Sequence, residues 1–120
     1  MINELSQLIH ANAKAKGFYE QPKNIGEMLC LIHSEVSEAL ECDRKRKTIS
    51  HDPDYVAGLE DDKFKDAFER FIKDTFEDEL ADIMIRVMDL AAYKNIDIEK
   101  HIKLKMRYNS MREYKHGKLY

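Results

Sequence analysis

The sequence predicts an all-α fold, built as a four-helix bundle with one long crossover. Only four glycines and two prolines interrupt the 120 residues. Apolar residues recur at steps of three and four, the spacing of one helix face, and no stretch alternates as a half-buried strand does. Helices of this kind, joined by one long connection, pack as bundles. A chain of this length buries one modest core, so we expect a single domain over residues 1–120.

The ends of the first two helices are marked by capping residues. Helix one is predicted from about Asn3 to Lys16, and Gly17 ends it. After a loop, Asn24 followed by Glu27 is typical of a helix start, where a side-chain oxygen accepts a free N–H of the first turn. Helix two then runs from Ile25 to about Arg44. The residues predicted to face the core are Leu5, Leu8, Ile9 and Ala13 on helix one and Met28, Leu29, Ile32, Val36 and Leu40 on helix two.

The second half of the chain begins with a connection over residues 45–61, which mixes charge runs with Pro53 and has room for one short helical turn. Helix three is the longest, with apolar spacing from Phe64 to Ala91 and a bend or break near Asp74. Asn95 is predicted to stop it. Helix four follows from Ile98, with Asp97 as its N-cap, to about Arg112. The apolar stripes are wide for so short a chain, which predicts burial against a second copy, as a homodimer or tetramer.

Composition excludes several classes of partner. A net charge of −3 argues against binding nucleic acid polymers or acidic membranes. No run of about 18 apolar residues is present to span a bilayer, and the N-terminus does not resemble a signal peptide.

Cys30 and Cys42 would lie roughly 18 Å apart on one helix, too far for a disulfide. Two free thiols and no export signal predict a cytoplasmic protein.

Two pairs of carboxylates carry the functional signal. Glu35 and Glu38 lie three residues apart on helix two, and Glu79 and Asp82 repeat this spacing on helix three. Residues at i and i+3 project from the same side of a helix, so the pairs face each other if the helices are antiparallel neighbours. All-oxygen ligands favour Mg²⁺, Mn²⁺ or Ca²⁺. The alternative interpretation is a solvated acidic face, which is common on charged helices.

At these residues the sequence resembles the MazG-like all-α nucleoside triphosphate pyrophosphatases, in which an E-x-x-E and an E-x-x-D bind Mg²⁺. The segments HANAKAKGFYEQPKNI and SEVSEALE resemble the first two helices of small dCTP-pyrophosphatase-like members. KMRYNSMREYKHGK resembles the K-x-x-x-N-x-x-R…H-G-K ending of many small members. The resemblance covers nearly the whole chain except residues 45–61, and it implies one MazG-like nucleotide pyrophosphohydrolase domain over residues 1–120.

The resemblance also implies a role for each part of the site. Mg²⁺, with Mn²⁺ as a second candidate, would neutralise the triphosphate while water attacks the α-phosphorus, giving a nucleoside monophosphate and pyrophosphate. Glu35 and Glu38 would also be the catalytic carboxylates. The implied metal ligands are Glu35, Glu38, Glu79 and Asp82; the phosphate-binding residues are Lys105, Asn109, Arg112 and Lys118; and the base-binding residues are His10, Phe18, Tyr19 and Asn24.

One departure from the pattern keeps other functions open. Many members have a further glutamate directly before the first motif, whereas this chain has Ser34. The general base is therefore unassigned, and Glu35 or Glu38 is left to orient the attacking water. A non-catalytic nucleotide-binding protein, or a helical interaction protein that retains the fold, is the alternative function.

Overall fold

The computed structural model describes residues 1–120 and contains helices but no β-strand. This confirms the all-α prediction. The helices are α1 (Ile2–Ala15), α2 (Ile25–Arg44), α3 (Pro53–Ala57), α4 (Asp61–Phe71), α5 (Phe76–Tyr93) and α6 (Ile98–Ser110), followed by one 3₁₀ turn (Tyr114–Gly117).

The predicted helix ends agree with the structure because each carries a local signal. The side chain of Asn24 accepts the N–H of Glu27 at 3.1 Å and starts α2. Asp97 caps α6 in the same way, accepting the N–H of Lys100 at 3.0 Å. Gly17, with φ +87°, and Asn95, with φ 56°, adopt the left-handed conformation just after α1 and α5, as helix-terminating residues commonly do.

The third predicted helix is two helices, α4 and α5. Asp74 adopts φ 62° between them, which interrupts the run of helical hydrogen bonds. Thr75 restarts the helix, since its Oγ1 accepts the N–H of Asp78 at 3.3 Å. The connection also contains the expected short turn, α3, which Asp52 caps by accepting the N–H of Asp54 at 2.9 Å. The chain therefore has six α-helices rather than four.

The chain divides into two compact units. The terminal unit comprises Met1–Gln21 and Met88–Tyr120, and the central unit comprises Pro22–Val87. Helix α5 begins in the central unit and ends in the terminal unit. The interpretation of residues 1–120 as a single domain stays a prediction.

In the terminal unit, the first turns of α1 and α6 are joined by reciprocal side-chain bonds. Asn3 Nδ2 donates to Asp97 Oδ1 at 2.7 Å, and the N–H of Glu99 donates to Asn3 Oδ1 at 3.1 Å. The N–H of Ile2 donates to Glu99 Oε1 at 2.7 Å. Each bond satisfies an N–H or carboxylate at a helix start, where the backbone has no internal partner.

In the central unit, the segment after α2 is tied to the start of α5. The N–H of Phe76 donates to the carbonyl of Lys47 at 2.8 Å, and Thr48 Oγ1 donates to Glu77 Oε1 at 2.9 Å. Cys42 Sγ, near the end of α2, lies 3.4 Å from the carbonyl of Asp74, just before α5. The end of α2 is therefore beside the beginning of α5, and the two helices run antiparallel.

The predicted inward faces of the helices are partly wrong. On α2 the buried residues are Met28, Glu35, Ala39 and Cys42, whereas Leu29, Val36 and Leu40 are about half exposed, at 48%, 48% and 51%. Helix α1 likewise buries Ser6 and His10 and exposes Leu5 and Leu8. The apolar residues do recur along one side of each helix. In the single chain, however, the buried side of each helix is an adjacent one that carries both polar and apolar residues.

Candidate metal centre

Antiparallel pairing of α2 and α5 places the two predicted carboxylate pairs on facing helices of the central unit. One carboxylate oxygen from each of Glu35, Glu79 and Asp82 lies within 4.8 Å of the other two. Two oxygens on one cation are at most about 4 Å apart for Mg²⁺ and about 5 Å apart for Ca²⁺. The three side chains can therefore ligate one ion after small movements.

Glu79 is the most deeply buried of the four predicted ligands, with 4% of its surface exposed. Its Oε2 atom is buried and receives no hydrogen bond. Such an oxygen is unfavourable unless it is protonated or meets a cation. Burial, followed by the hydrogen bond and charge of Glu38, raises the pKa of Glu79 to about 7. Glu79 therefore requires either a proton or a cation, and this makes it a candidate metal ligand.

The other two carboxylates of the prediction differ in exposure. Asp82 is partly buried, and burial, followed by the charges of Asp78 and Glu35, raises its pKa. Glu38 is exposed and lies outside the group of three, although it is close enough to hydrogen-bond with Glu79. The four predicted ligands therefore form three converging carboxylates and one exposed neighbour.

Arg86 is the one positively charged side chain that forms an ion pair with this group. Its Nε donates to Glu35 Oε1 at 2.8 Å, across from α5 to α2. The charge of Arg86 also opposes the rise in the pKa of Asp82. Arg86 follows Asp82 by four residues and Glu79 by seven, so it lies on the same face of α5. The sequence prediction did not include Arg86, because its spacing relates it to Glu79 and Asp82 but does not mark it as the partner of Glu35 on another helix.

Glu79 belongs to a second carboxylate group at the start of α5. Oxygens from Asp74, Asp78 and Glu79 also lie within 4.8 Å of one another. Asp78 Oδ2 accepts the N–H of Asp74 at 3.0 Å, which makes this group partly a helix-start arrangement. The sequence prediction did not include Asp74 or Asp78. In the sequence, the only feature that could mark Asp78 as part of such a group is that it directly precedes Glu79.

The predicted phosphate-binding row lies in the terminal unit. The ring of Tyr108 receives the Lys105 ammonium at 5.0 Å and the Arg112 guanidinium at 5.5 Å, so cation–π contacts place both charges beside one ring. Asn109, between them in sequence, has a buried Oδ1 without a hydrogen-bond partner. Lys118 is exposed in the C-terminal tail.

Two of the predicted base-binding residues are joined through a shared carboxylate in the terminal unit. His10 Nδ1 and Asp89 Oδ1 are 2.8 Å apart, and the Tyr19 hydroxyl donates to Asp89 Oδ2 at 2.5 Å. Burial and the bond to Asp89 raise the pKa of Tyr19. The rings of His10 and Tyr19 meet edge to face, 4.6 Å apart, and that of Tyr93 lies 5.0 Å from Tyr19. Asp89 and Tyr93 were not predicted.

The remaining predicted residues have simpler surroundings. Phe18 is exposed over 64% of its surface. Asn24 belongs to the central unit, and its side-chain oxygen caps α2. Ser34, which stands where many MazG-like proteins have a glutamate, is exposed, and its Oγ donates to the carbonyl of Leu31 at 2.6 Å.

Comparison with protein-family models, with curated proteins and with solved structures gave no significant match. No helix has the length and apolar character that crossing a bilayer requires.

Proposed function

We propose that the chain is a MazG-like nucleoside triphosphate pyrophosphohydrolase that converts nucleoside or deoxynucleoside triphosphates to monophosphates and pyrophosphate with Mg²⁺. The observation that carries this proposal is the unpartnered Oε2 of Glu79, in a group of three carboxylates within 4.8 Å. A solvated acidic face would leave its carboxylates exposed, whereas Glu35 and Glu79 are buried. The all-oxygen donor set favours Mg²⁺, with Mn²⁺ as the closest substitute.

The three converging carboxylates are placed to bind a cation, and the exposed carboxylate of Glu38 is placed to act in catalysis. Bound Mg²⁺ supplies charge neutralisation for phosphates and increases the acidity of water. Glu35, Glu79 and Asp82 would ligate it. Glu38 is exposed and has no guanidinium partner, so water can reach it, and it would accept a proton from the attacking water and orient that water toward the α-phosphorus. This assigns the base role to Glu38 rather than Glu35, which is bonded to Arg86.

Substrate binding is assigned by resemblance to the residues of the terminal unit. Lys105 and Arg112 carry the charges for phosphate oxygens, with Asn109 and Lys118 as further donors. Base binding is assigned to the cluster around Asp89, because aromatic rings and a histidine edge suit a nucleobase. Triphosphate hydrolysis and free thiols on Cys30 and Cys42 fit a cytoplasmic enzyme.

The test is pyrophosphate release from each of the eight common NTPs and dNTPs with Mg²⁺. We expect release from at least one of them, its loss in EDTA, and its loss in Glu79→Gln. Asp43→Asn, which removes an exposed carboxylate from α2, is the matched control and should retain activity. If no triphosphate releases pyrophosphate, while the protein is folded and binds Mn²⁺, the enzyme proposal is wrong.

A non-catalytic nucleotide-binding or helical interaction protein is the second candidate. The half-exposed apolar residues of α2 and the glutamate lost at Ser34 favour it. This candidate expects nucleotide binding, or association of helices, without pyrophosphate release. Titration of a triphosphate in Ca²⁺, followed by the release assay in Mg²⁺, separates the two candidates.

A further inference from the structure

Arg86 occupies an unusual position between the carboxylate group and solvent. Its side chain is 40% exposed, while that of its partner Glu35 is only 11% exposed. The bond to Glu35 uses Nε, which is the inner nitrogen of the guanidinium. The inner end of the guanidinium therefore contacts a buried carboxylate, and its outer end is on the side of the solvent.

The donors that remain on Arg86 are those best suited to a ligand. Its terminal nitrogens, Nη1 and Nη2, make no hydrogen bond with the protein, since the Nε bond to Glu35 is the only one that Arg86 donates. They carry four N–H groups in a planar fork, a geometry that matches two oxygens of one phosphate. An arginine that served only to neutralise the carboxylates would be expected to turn this fork toward them.

The charge balance changes when a cation binds. Without it, the single positive charge of Arg86 opposes three carboxylates, and Glu79 Oε2 has no hydrogen-bond partner. A divalent cation on these carboxylates supplies two charges and reduces the need for the guanidinium. The cation and the guanidinium together then balance the three carboxylates, and both remain positive groups that one anion can bridge.

We propose that Arg86 is a phosphate-binding residue of the carboxylate centre. It holds Glu35 through Nε and receives phosphate oxygens of a metal-bound diphosphate or triphosphate at Nη1 and Nη2. This inference rests on the proposed function, because it needs a cation on Glu35, Glu79 and Asp82. It adds a phosphate contact that the sequence resemblance does not include.

The test measures binding rather than turnover, with Mn²⁺ and inorganic pyrophosphate as probes. Mn²⁺ affinity is measured first alone, by titration calorimetry or by the EPR signal of free Mn²⁺, and pyrophosphate affinity is then measured at saturating Mn²⁺. Removing a competing positive charge should leave the Mn²⁺ affinity of Arg86→Ala unchanged or increase it. Removing the fork should weaken pyrophosphate binding about tenfold or more, as expected for a charge-assisted bond.

Two further variants separate phosphate binding from the support of Glu35. Arg86→Gln can still donate one hydrogen bond to Glu35 but lacks the charge and the fork, so it should weaken pyrophosphate binding as Arg86→Ala does. Arg86→Lys keeps the charge, so it should weaken pyrophosphate binding less than Arg86→Gln does. Arg44→Ala removes an exposed arginine whose partner, Glu41, is on the same helix at 3.9 Å, and it should change neither affinity.

The outcomes distinguish this inference from the proposed function. If Arg86 only supports Glu35, Arg86→Ala will weaken Mn²⁺ binding and Arg86→Gln will restore it, which would overturn the inference. Unchanged pyrophosphate affinity in Arg86→Ala and Arg86→Gln would also overturn it, while leaving the hydrolase proposal intact. If the unaltered protein binds no Mn²⁺, both proposals fail together.

Discussion

Glu79 is the residue on which the proposed cation site depends most. It is common to both carboxylate groups of the central unit, and its Oε2 is buried without a donor. Natural proteins rarely leave buried polar atoms unpaired, because the lost hydration is not compensated. The proposed function accounts for this atom by a cation bound at Glu79, which would carry a proton when no cation is bound.

This account predicts a pH dependence of stability. The folded-state pKa of Glu79 is raised to about 7 from 4.5, so without metal its ionisation destabilises the fold. The cost is absent below pH 4.5, grows as the pH rises from 4.5 to about 7, and stays constant above that. We expect Glu79→Gln, compared with the unaltered chain in EDTA, to be neutral at pH 4.5 and stabilising by on the order of 1–2 kcal/mol at pH 8. Urea unfolding at both pH values measures this difference, and an equal effect at both would contradict it.

The difference in exposure between Asp82 and Glu38 predicts different defects. Asp82 is one of the three converging carboxylates, so Asp82→Asn should reduce Mn²⁺ affinity strongly and abolish pyrophosphate release. Glu38 is exposed and outside that group. Glu38→Gln should therefore reduce release by about 10²-fold or more while retaining most of the Mn²⁺ affinity. Calorimetric Mn²⁺ titrations beside the release assay check this, and equal losses of Mn²⁺ affinity would make Glu38 a ligand instead.

At the scale of the helices, the sequence predicted the helix ends, because a helix end depends on a few neighbouring residues. Asn24 and Asp97 cap their helices, and Gly17 and Asn95 follow helix ends, since each role depends only on a few neighbouring residues. The break near Asp74 was predicted as a possibility, and its left-handed backbone explains it. Boundaries of this kind need no knowledge of the tertiary structure.

What the sequence did not predict depends on contacts between helices. Apolar spacing identifies a stripe, but it does not tell whether that stripe packs within the chain, and so Leu29, Val36 and Leu40 were assigned inward. The repeated spacing of the carboxylate pairs predicted that they face each other only if their helices are antiparallel neighbours, and that condition depends on the tertiary structure. Arg86 was missed because nothing local marks an arginine as the partner of a glutamate 51 residues away.

Asn24 allows the capping role to be separated from the predicted role in base binding. Its side chain accepts the N–H of Glu27 at 3.1 Å, so Asn24→Ala should lower the free energy of unfolding by about 1 kcal/mol. Asn24→Ser keeps a capping oxygen and should recover most of this loss. If Asn24 acts only as a cap, neither variant will change the ranking of nucleotides in the release assay. Urea unfolding and the substrate panel measure the two roles separately.

For the whole molecule, the amount of apolar surface that remains exposed is informative. Eight apolar residues are buried, and four of them are alanines. Meanwhile Leu29, Val36 and Leu40 form an exposed stripe on α2, and Leu80 and Met84 are exposed one turn apart on α5. Burying such side chains contributes roughly 1.5–3 kcal/mol each. A second copy of the chain is the partner that the sequence prediction assigns to these stripes.

This leads to a prediction about the mass in solution. Light scattering after gel filtration should give a multiple of 14.2 kDa at micromolar concentration, because a stable interface needs about 1,000 Å² or more and the exposed stripes supply apolar area for it. Val36→Glu combined with Leu40→Glu places two charges in the stripe and should give the 14.2 kDa monomer with unchanged helical circular dichroism. Ser34→Glu adds the same kind of charge at an exposed position of α2 that is not three or four residues from any member of the stripe, and it should leave the mass unchanged. A monomer for the unaltered chain would mean that these stripes are exposed in the native protein, and it would favour an interaction partner of another kind.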